Sequence, residues 1–191
     1  MRLNQAVKMV AGVVLALALV GCGARGDTPA QKRNAIHQMR QETLQKLYRE
    51  QPKARAAVRK AQGYAVFSNK SNKLGLIGIG HGFGVVRDNR TGKNTYMRMM
   101  SVGAGVGLGI QDIRFVAIFH DRKTMQNFIQ HGWDASAGAD AAAKWKEKGD
   151  AGNQTVAADF NGVTIYQLTE HGLALQAMVQ GYKYWPDDEL N

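Results

Sequence analysis

The chain has 191 residues, with 25 Lys or Arg against 15 Asp or Glu and a formal charge of +10. That basicity favours an anionic partner, which can be a phospholipid surface, a nucleic acid or an acidic polymer. The single cysteine excludes a disulfide framework and a thiolate metal site.

At the N-terminus, Arg2 and Lys8 precede an apolar run over residues 9–20, the charge order of a secretory leader. The run is short of the roughly 20 apolar residues a spanning helix needs. It ends in Leu19-Val20-Gly21-Cys22, which reads as a bacterial lipobox. The Cys22 thiol is a soft nucleophile able to take a diacylglycerol, and small Gly21 admits a peptidase to the bond before it. An acylated amino group adds a further chain, and stable anchoring takes about two membrane signals. The competing reading is an ordinary signal peptide with an incidental cysteine. Gly23, rather than Asp, follows the cysteine, so the expected destination is the outer membrane, facing the periplasm. Export leaves nucleic acid the least favoured partner, and none is expected.

The expected organisation is a leader over 1–21, a tether over 22–30 and one domain over 31–191. Loss of Arg2 and Lys8 leaves 23 basic residues against 15 acidic ones, a formal +8. About 170 residues suffice for one domain with a substantial apolar interior. Residues 31–61 read as helical, with Ile36, Met39, Leu44, Leu47 and Tyr48 along one face and basic residues elsewhere. Pro52 fits the first turn of a second short helix. Two roles are open for this amphipathic segment: lying on an anionic membrane, or packing on its own domain.

From 62 to 191 the chain reads as sheet with intervening helices. Tyr64-Ala65-Val66-Phe67 is an expected strand, followed by a polar loop over 68–73. Gly78, Gly80, Gly82 and Gly84 then alternate with larger residues, and Gly103, Gly105, Gly107 and Gly109 do the same. Strand side chains alternate between faces, so each ladder presents one bare face, which invites close approach by a helix, a sheet or an acyl chain. Neither ladder has the Gly-x-Gly-x-x-Gly spacing of a dinucleotide site.

Between the ladders, Asn89-Arg90-Thr91-Gly92-Lys93-Asn94 has hairpin-turn chemistry. Arg87, Arg90, Lys93 and Arg98, with Lys70 and Lys73 from the preceding loop, are expected to converge near one sheet edge and grip lipid phosphates. Solvated surface cations are the alternative. His81, within the first ladder, is a further headgroup candidate or a hydrogen-bonded sheet histidine.

Residues 113–119 form the most apolar expected strand and the expected sheet centre. Asp121 is placed to cap a helix over 122–131 that stops at Gly132, and Asp134 a second, alanine-rich helix to about Lys148. A turn over 150–153 and two strands, 163–168 and 173–179, close the chain. The acidic Asp187-Asp188-Glu189 is expected to be solvated. The fold class is therefore α+β: an N-terminal helical segment, then a glycine-rich, mainly antiparallel and barrel-like sheet with intervening helices.

Taken in order, Gly63-Tyr64-Ala65-Val66-Phe67, Gly84-Val85-Val86-Arg87-Asp88 with Thr91-Gly92-Lys93, and the ladder from Ser101 through Gly109 resemble a bacterial member of the SYLF lipid-binding family. Phe128-Ile129, Gly132-Trp133-Asp134, Ala139-Asp140-Ala141-Ala142-Ala143 and Gly181-Tyr182-Lys183-Tyr184-Trp185 extend the resemblance. Ser68 stands where relatives often carry proline. The resemblance implies lipid binding, towards phosphoinositides in eukaryotic relatives and towards anionic glycerophospholipids in a bacterial envelope. Actin binding, ascribed to some eukaryotic members, has no matching residue set.

No enzyme is expected, and no cofactor or metal. The five histidines show no His-Glu-x-x-His spacing, and there is no Gly-x-Ser-x-Gly elbow. Two functions remain open: an anchored lipoprotein binding anionic phospholipid, or a structural envelope protein whose basic surface meets another protein or an acidic polymer.

Overall fold

The computed structural model describes residues 24–74, 77–104, 109–132, 157–160, 162–169, 172–173 and 180–191. Cys22, the centre of the second glycine ladder, the expected helix after Asp134, the turn over 150–153 and residues 174–179 of the last expected strand lie outside them. The described elements run α1 (Pro29–Glu50), α2 (Pro52–Lys60), β1 (Gly63–Leu74), β2 (Ile77–Asp88), β3 (Asn94–Ala104), β4 (Gly109–Phe119), α3 (Arg122–His131), β5 (Ala157–Phe160), β6 (Val163–Thr169), β7 (Gly172–Leu173) and β8 (Gln180–Pro186). All pairings are antiparallel, in the order β5-β6-β4-β1-β2-β3-β8, with β7 beside β6. The architecture is α+β, as expected. β4 is interior, but the middle position belongs to β1.

Helix α1 starts two residues earlier than its periodicity suggests. Thr28 Oγ1 accepts from the Gln31 amide at 3.3 Å and Gln31 Oε1 accepts from the Thr28 amide at 3.2 Å, a capping box that satisfies two otherwise orphaned N–H groups. Residues 24–30, expected within the tether, already contact the domain. Ala24 is buried with the core, and the Asp27 amide donates to Gln31 Oε1 at 2.8 Å.

Ile36, Met39 and Leu47 are buried, and Leu44 and Tyr48 pack beside them, so α1 lays its apolar face on its own sheet. It crosses the strands: His37 Nε2 meets Tyr96 Oη of β3 at 2.7 Å, and Arg114 of β4 donates to Thr43 Oγ1 at 3.2 Å. Of the two roles open to this helix, packing is the observed one. Helix α2 is tied to the β2–β3 turn, where Asn89 Nδ2 donates to the Val58 and Ala61 carbonyls.

The sheet thus separates two cores. On the face carrying α1 and α2 lie Val66, Val85, Tyr96, Val116, Ile118 and Leu168. On the other, Phe67, Met97, Met99, Phe115 and Phe119 meet Met125 and Phe128 of α3. Asp121 caps α3, accepting from the Thr124 amide at 2.8 Å, and Gly132 ends it at φ 70°. The sheet curls towards α3: Tyr184 of β8 reaches Phe67 of β1, with ring centroids 4.9 Å apart, and Tyr182 reaches Phe115 of β4 at 5.2 Å. Burial raises the pKa of both phenols. No pairing joins β5 to β8 among the described residues.

Two expectations require correction. The polar stretch 68–73 is strand, not loop: Ser68 and Asn69 are buried, paired through the backbone to both β2 and β4. The acidic C-terminus is a strap rather than a solvated tail. Asp187 Oδ2 accepts from Arg98 Nε at 2.9 Å, Glu189 lies 2.7 Å from Lys32 Nζ, and Leu190 is buried with Ala24 and Ile36 in the same core. Neither was visible because each depends on a partner distant in sequence.

Candidate functional site

The glycine ladder of β2 is where the sheet's two faces differ most. Gly82 and Gly84 point to the α3 face, where an added Cβ would collide with Met99 and the Ser68 carbonyl, or with the Phe67 ring and the Val66 carbonyl. The bare face is filled by side chains from the adjoining strands, which answers the question of what approaches it.

The opposite, helix-bearing face carries Ile79, His81, Phe83 and Val85 from the same strand. Helix α1 covers Val85 and part of Phe83 and leaves the rest open. Ile79 is 51% exposed, and its partner Val102 on β3 is 49% exposed. One row along, Lys70, His81, Met100 and Lys183 lie side by side on β1, β2, β3 and β8. With strands ~4.8 Å apart, this row spans about 14 Å. Lys70, His81 and Lys183 are exposed. Two apolar side chains bordered by three basic ones therefore occupy one uncovered sheet surface.

The expected convergence of all the loop cations does not occur. His81 and Arg87 are six residues apart on one strand, or about 20 Å, so the turn cations lie at the other end of β2 from Lys70. Arg87 braces the turn, donating to the Gly92 carbonyl and to Asn94 Oδ1. Arg90 and Lys93 are exposed at its tip. Arg98 shares the helix-bearing face but is ion-paired with Asp187 and Glu189. Lys73 falls in β1 towards the Lys70 end. Lys183 was missed, since only the β3–β8 pairing places it opposite Met100.

At the turn, burial pushes the Asp88 carboxyl up, but hydrogen bonds from Thr91, Arg122 and Arg90 outweigh it and hold it at about 2. Burial, then the charges of Arg40 and Arg87, lower the pKa of His37. Among the described residues no group of three or more His, Cys, Asp or Glu side chains is placed to hold a metal. No described helix is long and apolar enough to cross a membrane.

Fold and site together define an α+β domain built on one curled antiparallel sheet with an open basic-apolar surface. No family model matches the chain. It is similar to Beta cell expansion factor A of Aeromonas veronii, with 36% identity over 164 residues. The match covers 85% of this chain and 60% of that protein, so the chain spans about three-fifths of the relative's length.

Proposed function

We propose that this is a bacterial envelope lipoprotein of the SYLF type, acylated at Cys22, whose domain binds anionic phospholipid without catalysis. The observation that carries the reading is the placement of exposed Ile79 and Val102 beside Lys70, His81 and Lys183. Apolar side chains gain by entering the headgroup boundary of a bilayer, while the neighbouring lysines are drawn to its negative surface, each by about 1 kcal/mol. Arg87, Arg90 and Lys93 form a separate basic edge that aids approach rather than seating. An anchor at Cys22 makes weak headgroup affinity sufficient, because tethering raises the local lipid concentration. Barrel-like closure of the sheet is part of the same proposal, supported by the reach of Tyr182 to Phe115. So is an outer-membrane location, for which cell fractionation is the check.

Co-sedimentation of the Cys22→Ser chain with phosphatidylglycerol vesicles tests the function. Binding at low salt that weakens as salt rises is expected. Absence of binding at low salt contradicts the proposal and favours a protein or acidic polymer as partner.

A further inference from the structure

Where the second half of α1 crosses β4, the helix and the sheet leave a groove of about 260 Å³. Thr43, Lys46 and Arg49 succeed one another at three-residue spacing on the groove side of the helix. Asp112 and Arg114, two apart on β4, share the facing side of the sheet, and buried Leu168 of β6 closes the floor. Arg114 is held in place: its Nη1 donates to Thr43 Oγ1 at 3.2 Å and lies 3.4 Å from Glu42 Oε2. Ser68 Oγ donates to Asp112 Oδ1 at 3.4 Å. Among the described residues that line the groove are three cations and two carboxylates. The Glu42 side chain is half exposed and its contact with Arg114 is long, so a doubly charged anion competes with it on favourable terms.

We infer that Lys46, Arg49 and Arg114 form a seat for a phosphate ester. An arginine fixed by a hydroxyl, with two further cations one helical turn apart, supplies the forked and point-charge donors that phosphate oxygens accept. The volume is below the roughly 300–1,000 Å³ of drug-sized pockets, which suits a phosphate with a glycerol-sized substituent. Arg114 and Asp112 are cross-strand partners of Ser68 and Lys70, so the groove adjoins the basic row of the open sheet surface. As a lipid site the groove rests on the membrane reading above; a free glycerol phosphate presents the same chemistry to it.

The test titrates the Cys22→Ser chain with sn-glycerol 3-phosphate followed by phosphorus NMR, and in parallel measures its partition onto phosphatidylglycerol and phosphatidylcholine vesicles. Arg49→Gln and Lys46→Gln are compared with Arg59→Gln, which alters an exposed cation on α2. Each groove variant is expected to weaken glycerol phosphate binding at least about five-fold, and Arg59→Gln less than about two-fold. Loss of phosphatidylglycerol partition in the same groove variants supports the groove with a lipid as its source. Unchanged partition with weakened glycerol phosphate binding supports it with a free ester as its source. No glycerol phosphate binding, or equal weakening by Arg59→Gln, overturns the groove and leaves vesicle binding to judge the membrane reading alone. Glycerol phosphate binding without any vesicle partition upholds the groove and overturns the membrane reading.

Discussion

Asn69 Nδ2 on β1 donates to Ser101 Oγ on β3 at 2.9 Å, crossing the full width of β2 to reach it. The bond is possible because the residues of β2 beneath it on that face, Gly80 and Gly82, carry no side chain. Alternating glycines and a polar, buried segment of β1 are thus one device. The glycines allow neighbouring strands to share side-chain contacts across the strand between them.

This gives the first prediction. Gly82→Ala and Gly84→Ala each force a Cβ into backbone and side-chain atoms that cannot both withdraw. Each substitution should destabilise the domain by about 1–3 kcal/mol, the usual cost of overfilling a packed interior. Urea denaturation followed by far-ultraviolet circular dichroism measures it; an unchanged midpoint would show that the packing relaxes freely there.

The C-terminal strap supplies the second. Leu190 is 2% exposed, and Asp187 holds Arg98 while Glu189 holds Lys32. Leu190→Ala should cost about 2–4 kcal/mol through the cavity it leaves. Glu189→Gln, altering a more exposed pair, should cost under about 1 kcal/mol. Denaturation midpoints of the two variants separate core packing from surface pairing, and similar costs would contradict the distinction.

Acid should act through Asp88. Its folded pKa of about 2 lies below the ordinary 3.8, so its contribution to stability is complete above pH 4 and is lost as pH falls from there towards 2. Asp88→Asn should lower stability at pH 6 and flatten the pH dependence between 4 and 2. Denaturation profiles across that range provide the check, and parallel curves for the two proteins would refute it.

His37 works in a higher window. Its folded pKa lies below 6.5, so the unfolded chain takes the proton first and stability declines as pH falls below that value. His37→Gln should reduce this decline while retaining a polar partner for Tyr96 Oη. Thermal midpoints at pH 7.5 and 5.5 test it; an undiminished difference would assign the decline to other groups.

Local chemistry made some of the fold legible in the sequence. Asp121 and Gly132 delimit α3 because capping is decided by adjacent residues, and the turn after Asp88 announces itself through Asn89 and Gly92. The apolar face of α1 follows from its own periodicity. By contrast, Ser68 and Asn69 read as loop residues, because nothing local shows that Asp112 on β4 receives the Ser68 hydroxyl or that glycines on β2 make room for Asn69. The open surface was half legible: Lys70 and His81 were candidates on their own chemistry, whereas Lys183 joins them only through strand pairing, and Arg98 is withdrawn by a strap 89 residues away.

The central claim is that the uncovered sheet surface, rather than basic charge in general, meets the bilayer. Two charge reversals of equal size decide it: Lys70→Glu with Lys183→Glu on that surface, and Arg90→Glu with Lys93→Glu at the turn. Partition onto phosphatidylglycerol vesicles at low salt should fall at least about ten-fold for the first pair and less than about three-fold for the second. Equal losses in the two pairs, or a greater loss at the turn, would contradict the account.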